Sequence, residues 1–129
     1  MSGRYLLDTS VIVPLFAGDA SVKEELERAT AVFVPCVALG ELYYGAHKSR
    51  RKRENLARLE EFRAAVEILG CDEETTREYG KIKNSLRAKG QPIPENDIWI
   101  AAIASQHQLI VASRDAHFQQ IPGLKTATW

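Results

Sequence analysis

Cysteine and histidine are scarce in this chain of 129 residues, which has two cysteines, at 36 and 71, and three histidines, at 47, 107 and 117. Neither cysteine belongs to a closely spaced pair, which argues against a disulfide framework and against a structural zinc site. We therefore expect Cys36 and Cys71 to be buried, reduced thiols. We interpret His107 and His117 as structural residues rather than general acids.

An excess of charge of either sign is also absent, because 17 basic residues balance 17 acidic ones. A chain that bound nucleic acid through its overall charge would be basic, so any such affinity must come from a local patch. Long apolar runs are missing as well: Asp8 interrupts the first apolar stretch, and no run approaches the roughly 18 residues of a membrane span. We expect a cytoplasmic protein without a signal peptide, folded as one domain over residues 1–129.

The chain alternates short apolar segments with stretches of helical spacing. Strands are predicted at 4–7, 31–34, 66–69 and 109–111, with a short fifth strand at 125–127. Helices are predicted at 11–16, 21–29, 36–48, 51–65, 73–89 and 95–107, the first capped by Thr9 or Ser10 and the fifth by Asp72. The alternation predicts an α/β fold, a three-layer α/β/α sandwich around a short parallel sheet of four to five strands.

Four carboxylates lie at the ends or in the middle of apolar segments, where charge is not expected: Asp8, Glu41, Asp97 and Asp115. Asp8 and Asp115 follow predicted strands, and the carboxyl ends of parallel strands meet at one edge of a sheet. Burying isolated carboxylates is costly, and several of them together repel one another unless a cation lies between them. The pattern therefore predicts a site for Mg²⁺ or Mn²⁺ that cleaves phosphodiester bonds.

Each carboxylate also has a simpler interpretation on its own. Asp8 can cap a helix, Asp97 favours the first turn of a helix, and Asp115 can form a turn. Glu41 would ordinarily be a solvated helix position, but its neighbours three and four residues away are all apolar or small: Val37, Ala38, Tyr44 and Gly45. It is the joint placement of the four at one predicted edge that favours a functional site.

Short motifs around these acids resemble those of a known family. Residues 6–10 (LLDTS) and 41–46 (ELYYGA) resemble the first two motifs of the PIN-domain ribonucleases, and residues 93–102 (IPENDIWIAA) and 113–118 (SRDAHF) resemble the other two. The resemblance is closest to the VapC-type toxins of bacterial toxin–antitoxin pairs. It runs in order along essentially the whole chain, including the closing segment 121–125 (IPGLK).

The resemblance implies a PIN-like fold in which Asp8, Glu41, Asp97 and Asp115 form an acidic Mg²⁺ or Mn²⁺ site. Ser10 takes the small polar place after the first acid. Ser113 stands where the family usually has threonine, and its hydroxyl is expected near Asp8. The implied activity is endoribonuclease cleavage that leaves a 5′-phosphate and a 3′-hydroxyl.

The resemblance also implies two protein partners, a second copy of the chain in a homodimer and a VapB-type antitoxin. The antitoxin of this family commonly inserts a basic side chain into the acidic site. The helices between 11 and 62 carry apolar residues that serve the core, the dimer face or the antitoxin groove, and the sequence does not assign them: Leu15, Phe16, Tyr43, Tyr44, Leu56 and Leu59.

A basic segment follows the helix of Glu41. Residues 48–58 hold six basic side chains against one acid, Glu54, and the candidates for RNA contact are Lys48, Arg50, Arg51, Lys52 and Arg53. A run of this kind is usually a solvated face, but its place next to the Glu41 helix suits contact with RNA phosphates. Such contacts would position a substrate without reading its sequence.

Other functions fit the sequence less well. A haloacid-dehalogenase-like phosphatase also has an aspartate after its first strand, but it needs a second aspartate where this chain has Ser10. Nucleotide binding through a glycine-rich phosphate loop is not supported, because the sequence has no such loop. The main alternative is a non-catalytic PIN-like module that binds RNA or protein, and DNA cleavage by the same site also stays open.

Overall fold

The computed structural model describes residues 3–129 and contains a parallel sheet of five strands in the order β3-β2-β1-β4-β5. The strands are β1 (Arg4–Leu7), β2 (Ala31–Pro35), β3 (Glu67–Leu69), β4 (Ile110–Ala112) and β5 (Thr126–Ala127). Central strand β1 pairs Leu6 with Phe33 on one side and with Val111 on the other. The predicted parallel α/β sheet is confirmed.

The helices of residues 3–129 are α1 (Thr9–Phe16), α2 (Ala20–Arg28), α3 (Cys36–His47), α4 (Lys52–Ala65), α5 (Glu73–Ala88) and α6 (Glu95–His107). They agree with the sequence prediction to within two residues at each end. A 3₁₀ helix, Ala116–Gln120, follows β4 and was not predicted. None of the helices in the described residues is both long and apolar enough to cross a lipid bilayer.

Helix α6 is buried nearly all round, as its sequence predicts. Ile98, Ile100 and Ile103 are completely or almost completely buried, and so are the alanines at 101, 102 and 104. Burial of each isoleucine side chain contributes about 1.5–3 kcal/mol, and the small alanines let neighbouring elements approach closely. Since Asp97 lies in the first turn of this buried helix, packing of the helix in the core sets the position of its backbone.

The junction of β1 and α1 differs from the prediction. The N-cap residue of α1 is Asp8, and the expected cap by Thr9 or Ser10 is wrong. The reason is that the Asp8 amide donates to the carbonyl of Ala112 while the Asp8 carbonyl accepts from the amide of Ile12, so strand pairing ends and the helix begins at one residue. The Asp8 side chain makes no capping hydrogen bond and stays available for other contacts.

The two cysteines also differ from expectation. Cys36 is only partly buried and Cys71 is exposed, so the prediction that both are buried is wrong, although both are free thiols. Paired strands β2 and β3 end side by side, with Pro35 opposite Leu69. The cysteines follow these strand ends, where the chain leaves the covered interior of the sheet and reaches the surface.

Candidate active site

A cleft of about 740 Å³ opens at the carboxyl edge of the sheet, and all four predicted carboxylates line it. Asp8 follows β1, and Asp115 follows the neighbouring strand β4. Glu41 comes from the second turn of α3, and Asp97 comes from the first turn of α6. Two strand ends and two helices thus bring together side chains that are far apart in sequence.

Asp8 is the most buried of the four acids, with 4% of its surface exposed. Its Oδ2 atom accepts hydrogen bonds from the hydroxyls of Ser10 at 2.8 Å and Ser113 at 2.9 Å. Ser10 Oγ also accepts from the amide of Arg114, and Ser113 Oγ accepts from the amide of Asp115, each at 2.9 Å. Each hydroxyl has one proton, so these backbone donors leave both protons free to point at Asp8. The carboxylate is therefore held in one orientation.

Glu41 is partly buried beside the N-terminus of α6. Its Oε2 accepts a hydrogen bond from Nδ2 of Asn96 at 3.3 Å. Burial raises the pKa of Glu41, the hydrogen bond from Asn96 opposes that rise, and the negative charges of Asp8 and Asp97 add to it. The contributions of Asp8 and Asp97 to this rise mean that Glu41 lies within electrostatic range of both acids.

Asp97 connects the cluster to a histidine. Burial raises the pKa of Asp97, a hydrogen bond with His117 lowers it, and the charges of Asp8 and Asp115 raise it further. Nδ1 of His117 lies 2.9 Å from Oδ2 of Asp97 and also 2.9 Å from Oδ1 of Asp115. The hydrogen bond with Asp97 and the surrounding acids raise the pKa of His117, although loss of hydration acts the other way.

Asp115 both caps a short helix and lines the cleft. Its Oδ1 accepts the amide of His117 at 3.0 Å and so caps the 3₁₀ helix Ala116–Gln120. The interpretation of Asp115 as a turn former is therefore confirmed. The same carboxylate also faces the cleft and the His117 ring, so a capping role does not exclude it from the site.

Sequence reasoning missed His117 and Asn96 as members of the cluster. His117 stands two residues after Asp115, and the 3₁₀ helix that begins between them directs its ring back towards the acids. Prediction of that tight turn would have identified His117. Asn96 directly precedes Asp97 in the first turn of α6, yet it contacts Glu41 on another helix. Neither residue interrupts an apolar segment, which was the signal that identified the four acids.

The composition of the cluster fits a divalent cation. Burial raises the pKa of Glu41 and of Asp97, and the charges of neighbouring acids raise both further, so the cleft gathers carboxylates that a cation would stabilise in their charged form. Carboxylate oxygens are the ligands that Mg²⁺ and Mn²⁺ prefer. One donor atom from each of Asp97, Asp115 and His117 can be chosen so that all three lie within 4.8 Å of one another.

The predicted RNA-contacting residues lie outside the cleft. Lys48, Arg50 and Arg51 form the turn between α3 and α4, and Lys52 and Arg53 begin α4; we call residues 48–53 the basic turn. These five side chains are exposed, and the nearby pairing of Arg51 with Glu54 is long, at 3.5 Å. Lys48 follows Glu41 by seven positions, which is about 10 Å along the axis of α3.

A second depression, of about 550 Å³, adjoins the cleft and shares Thr9, Val13 and Glu41 with it. We call it the apolar groove, because α1, α3 and α4 contribute mainly apolar side chains, among them Val13, Phe16, Leu42 and Leu59. Val13 is 55% exposed, which is high for a large apolar residue. Arg58 also lines the groove.

Comparisons with known proteins agree with this geometry. The chain is 34% identical over 131 residues to Ribonuclease VapC2 of Haemophilus influenzae (strain ATCC 51907 / DSM 11121 / KW20 / Rd). It is 31% identical over 129 residues to the tRNA(fMet)-specific endonuclease VapC of Shigella flexneri. Both alignments cover 98% of each chain. Its fold matches that of DNA-bound VapBC from Salmonella typhimurium with a TM-score of 0.91, at 29% identity and 98% coverage of both chains. VapBC2 of Rickettsia felis, bound to a DNA fragment from its promoter, gives a TM-score of 0.90 at 28% identity, again with 98% of both chains covered. The PIN domain model matches residues 5–124, and the chain therefore belongs to the PIN domain family.

Proposed function

We propose that this protein is a metal-dependent endoribonuclease and the toxin of a toxin–antitoxin pair. The observation that carries the proposal is the convergence of Asp8, Glu41, Asp97 and Asp115 on one cleft, in a chain similar along 98% of its length to proteins named as VapC ribonucleases. All four acids line the cleft, which favours a nuclease over a non-catalytic module that binds RNA or protein.

In this proposal the four carboxylates hold Mg²⁺ or Mn²⁺. When bound, such a cation stabilises the charge that develops on the scissile phosphate and makes a water molecule more acidic. The task of the protein is to keep the acids in place: Ser10 and Ser113 orient Asp8, and Asn96 holds Glu41. The products would carry a 5′-phosphate and a 3′-hydroxyl.

The substrate we propose is RNA, because the relatives are named as ribonucleases and one of them as a tRNA endonuclease. The basic turn offers exposed lysine and arginine side chains that would contact phosphates on either side of the cleaved bond. Phosphate contacts position a nucleic acid without reading bases. Because the proposed substrate is cellular RNA, we also propose that the protein acts in the cytoplasm.

The partner we propose is a VapB-type antitoxin. Structures similar to this chain are of VapBC proteins, and one of them, VapBC-5 of Mycobacterium tuberculosis, is described as a member of the VapBC family of toxin-antitoxin systems. The apolar groove suits an apolar segment of such a partner, and a segment bound there would lie beside the acids, because the groove and the cleft share a wall. A basic side chain of the antitoxin would then reach the acidic cluster. We also propose that the chain forms a homodimer.

Cleavage of total cellular RNA by the purified protein tests the nuclease proposal. Reactions contain Mg²⁺, Mn²⁺ or EDTA, and they compare the parent with Asp97→Asn and with Glu24→Gln, an exposed acid on α2 that serves as the matched control. We expect discrete fragments that require the metal, disappear with Asp97→Asn and persist with Glu24→Gln. An Asp97→Asn protein that cuts at the parental rate would refute the site. Absence of cleavage by the parent, with RNA binding retained, would favour the non-catalytic module.

A further inference from the structure

We propose that His117 is a ligand of the cation through Nδ1, and that this nitrogen gives the site a preference for Mn²⁺ over Mg²⁺. The inference rests on the proposed function for the presence of a divalent cation in the cleft. It adds a nitrogen donor to a set of ligands that the sequence motifs describe as purely carboxylate.

The first argument is the spacing of the three donor atoms. Nδ1 of His117 lies 2.9 Å from Oδ2 of Asp97 and 2.9 Å from Oδ1 of Asp115. Adjacent ligands of an octahedral ion with bonds of about 2.1 Å are separated by about 3.0 Å. The nitrogen is therefore spaced from each oxygen as a neighbouring ligand around one ion would be, and one donor atom from each of the three residues fits within 4.8 Å.

The second argument is that hydrogen bonding does not account for both short distances. A ring nitrogen carries at most one hydrogen. The geometry of the ring gives a hydrogen bond between Nδ1 and Asp97, while the equally close Oδ1 of Asp115 is engaged by the backbone amide of His117. A cation that replaces the hydrogen on Nδ1 and is bound by all three atoms would keep this nitrogen next to both carboxylates.

The third argument is that the ring is held in place by its surroundings. His117 lies in the 3₁₀ helix that Asp115 caps, and the next residue, Phe118, is almost fully buried in the core. The cap on one side and the anchored phenylalanine on the other restrict the backbone at His117, and the contact of Nδ1 with Asp97 holds the ring. A ligand fixed in this way loses little conformational entropy when it binds an ion.

The preference for Mn²⁺ follows from the chemistry of the donors. Mg²⁺ binds oxygen almost exclusively, usually with several waters in its shell, whereas imidazole nitrogen is a ligand for transition-metal ions. A nitrogen beside Asp97 and Asp115 should therefore strengthen the binding of Mn²⁺ and leave that of Mg²⁺ nearly unchanged.

Electron paramagnetic resonance of the protein loaded with Mn²⁺ alone tests the proposal. Electron spin echo modulation from a coordinated ¹⁴N nucleus is expected in the parent and in His107→Ala, the matched control that removes a histidine outside the cleft. The ¹⁴N modulation is expected to vanish in His117→Ala and in His117→Gln. The glutamine variant keeps a polar side chain of similar size, so loss of the signal in both variants would not be due to misfolding. Titration should show Mn²⁺ affinity about tenfold weaker in both His117 variants, with Mg²⁺ affinity changed less than about twofold.

A parent protein that binds Mn²⁺ without ¹⁴N modulation would overturn the inference, as would modulation that survives in the His117 variants. Such results leave the nuclease proposal intact if RNA cleavage still requires metal and Asp97. Conversely, a ¹⁴N signal in a protein that cuts no RNA would support His117 as a ligand and refute the proposed function.

Discussion

Replacing Ser113 with alanine removes one of the two hydroxyls that hold the buried Asp8 carboxylate. A hydrogen bond to a charged group contributes about 1.5–3 kcal/mol, and Ser113 Oγ also accepts the amide of Asp115, which would lose that partner. Ser10 keeps its own hydrogen bond to Asp8, so the carboxylate is not left without a donor. We therefore expect Ser113→Ala to lower the free energy of unfolding by about 2 kcal/mol.

Urea denaturation in EDTA measures this change, because a bound metal would add its own stabilisation. With a slope of about 2 kcal/mol per molar urea, the midpoint should fall by about 1 M. Ser113→Thr keeps the hydroxyl and should restore most of the loss. Ser105→Ala is a matched control, since Ser105 makes its hydrogen bond to Glu78 at the surface and should shift the midpoint much less.

The same substitution should also slow RNA cleavage, by about tenfold or more, because Asp8 would no longer be held in one orientation. Two results would refute the reasoning. One is a Ser113→Ala protein that unfolds at the parental urea midpoint. The other is a Ser113→Thr protein no better than Ser113→Ala in both stability and cleavage, which would show that the hydroxyl is not what matters at this position.

Further substitutions separate the roles of the other groups. Asp97→Asn should abolish cleavage yet raise the urea midpoint in EDTA, because removing one acid relieves repulsion; a lower midpoint would contradict this. Asn96→Ala should weaken Mn²⁺ binding about tenfold in a titration, through Glu41, and unchanged affinity would remove Asn96 from the site. Lys52→Ala combined with Arg53→Ala should raise the KM for RNA with kcat nearly unchanged and should flatten its salt dependence; an unchanged KM would exclude the basic turn from binding. Asp72→Ala should lower the urea midpoint at pH 7, because hydrogen bonds from Thr75 and Gln106 lower the pKa of Asp72 in the folded state. That stabilisation is fully present above the ordinary carboxyl pKa and is lost as the pH falls from there through the lowered pKa of the folded state, so the difference from the parent should shrink in acid.

The four acids could be found in the sequence because the signal that marks them is local. Asp8 and Asp115 follow apolar strands, and Glu41 and Asp97 adjoin helices whose neighbouring residues are apolar or small. The order of the strands was not needed, since any parallel arrangement brings the carboxyl ends to one edge. This is why the placement of the cluster was correct although the sequence contains no information on its distances.

The supporting residues could not be found in this way, because their roles depend on the directions of side chains. The His117 ring turns towards Asp97 only because Asp115 caps a 3₁₀ helix, an element too short to leave a periodic pattern. The burial predicted for the cysteines failed for a related reason. Cys36 follows the buried end of β2, and Cys71 follows the edge strand β3, which is only partly buried, so an apolar strand in the sequence did not guarantee burial of the next residues.

Hydrogen-bond donors in the cleft are arranged across the sequence rather than along it. Asn96 adjoins Asp97 in the chain but donates to Glu41, and Ser113 lies two residues before Asp115 but donates to Asp8. The ring of His117 likewise reaches Asp97 from the segment of Asp115, whereas the Ser10 hydroxyl and the backbone amide of His117 donate to the acids nearest to them in sequence.

This crossed arrangement ties β1, β4, α3 and α6 to one another at the point where their carboxylates repel. Serine and asparagine donors stabilise the charged form of a carboxylate without neutralising it, so the cleft stays anionic while its geometry is held. A cluster of acids linked only to donors on their own segments would be free to spread apart. Because the donors cross between segments, the acids are held close together before any cation binds, and the free energy of binding need not be spent on assembling the site.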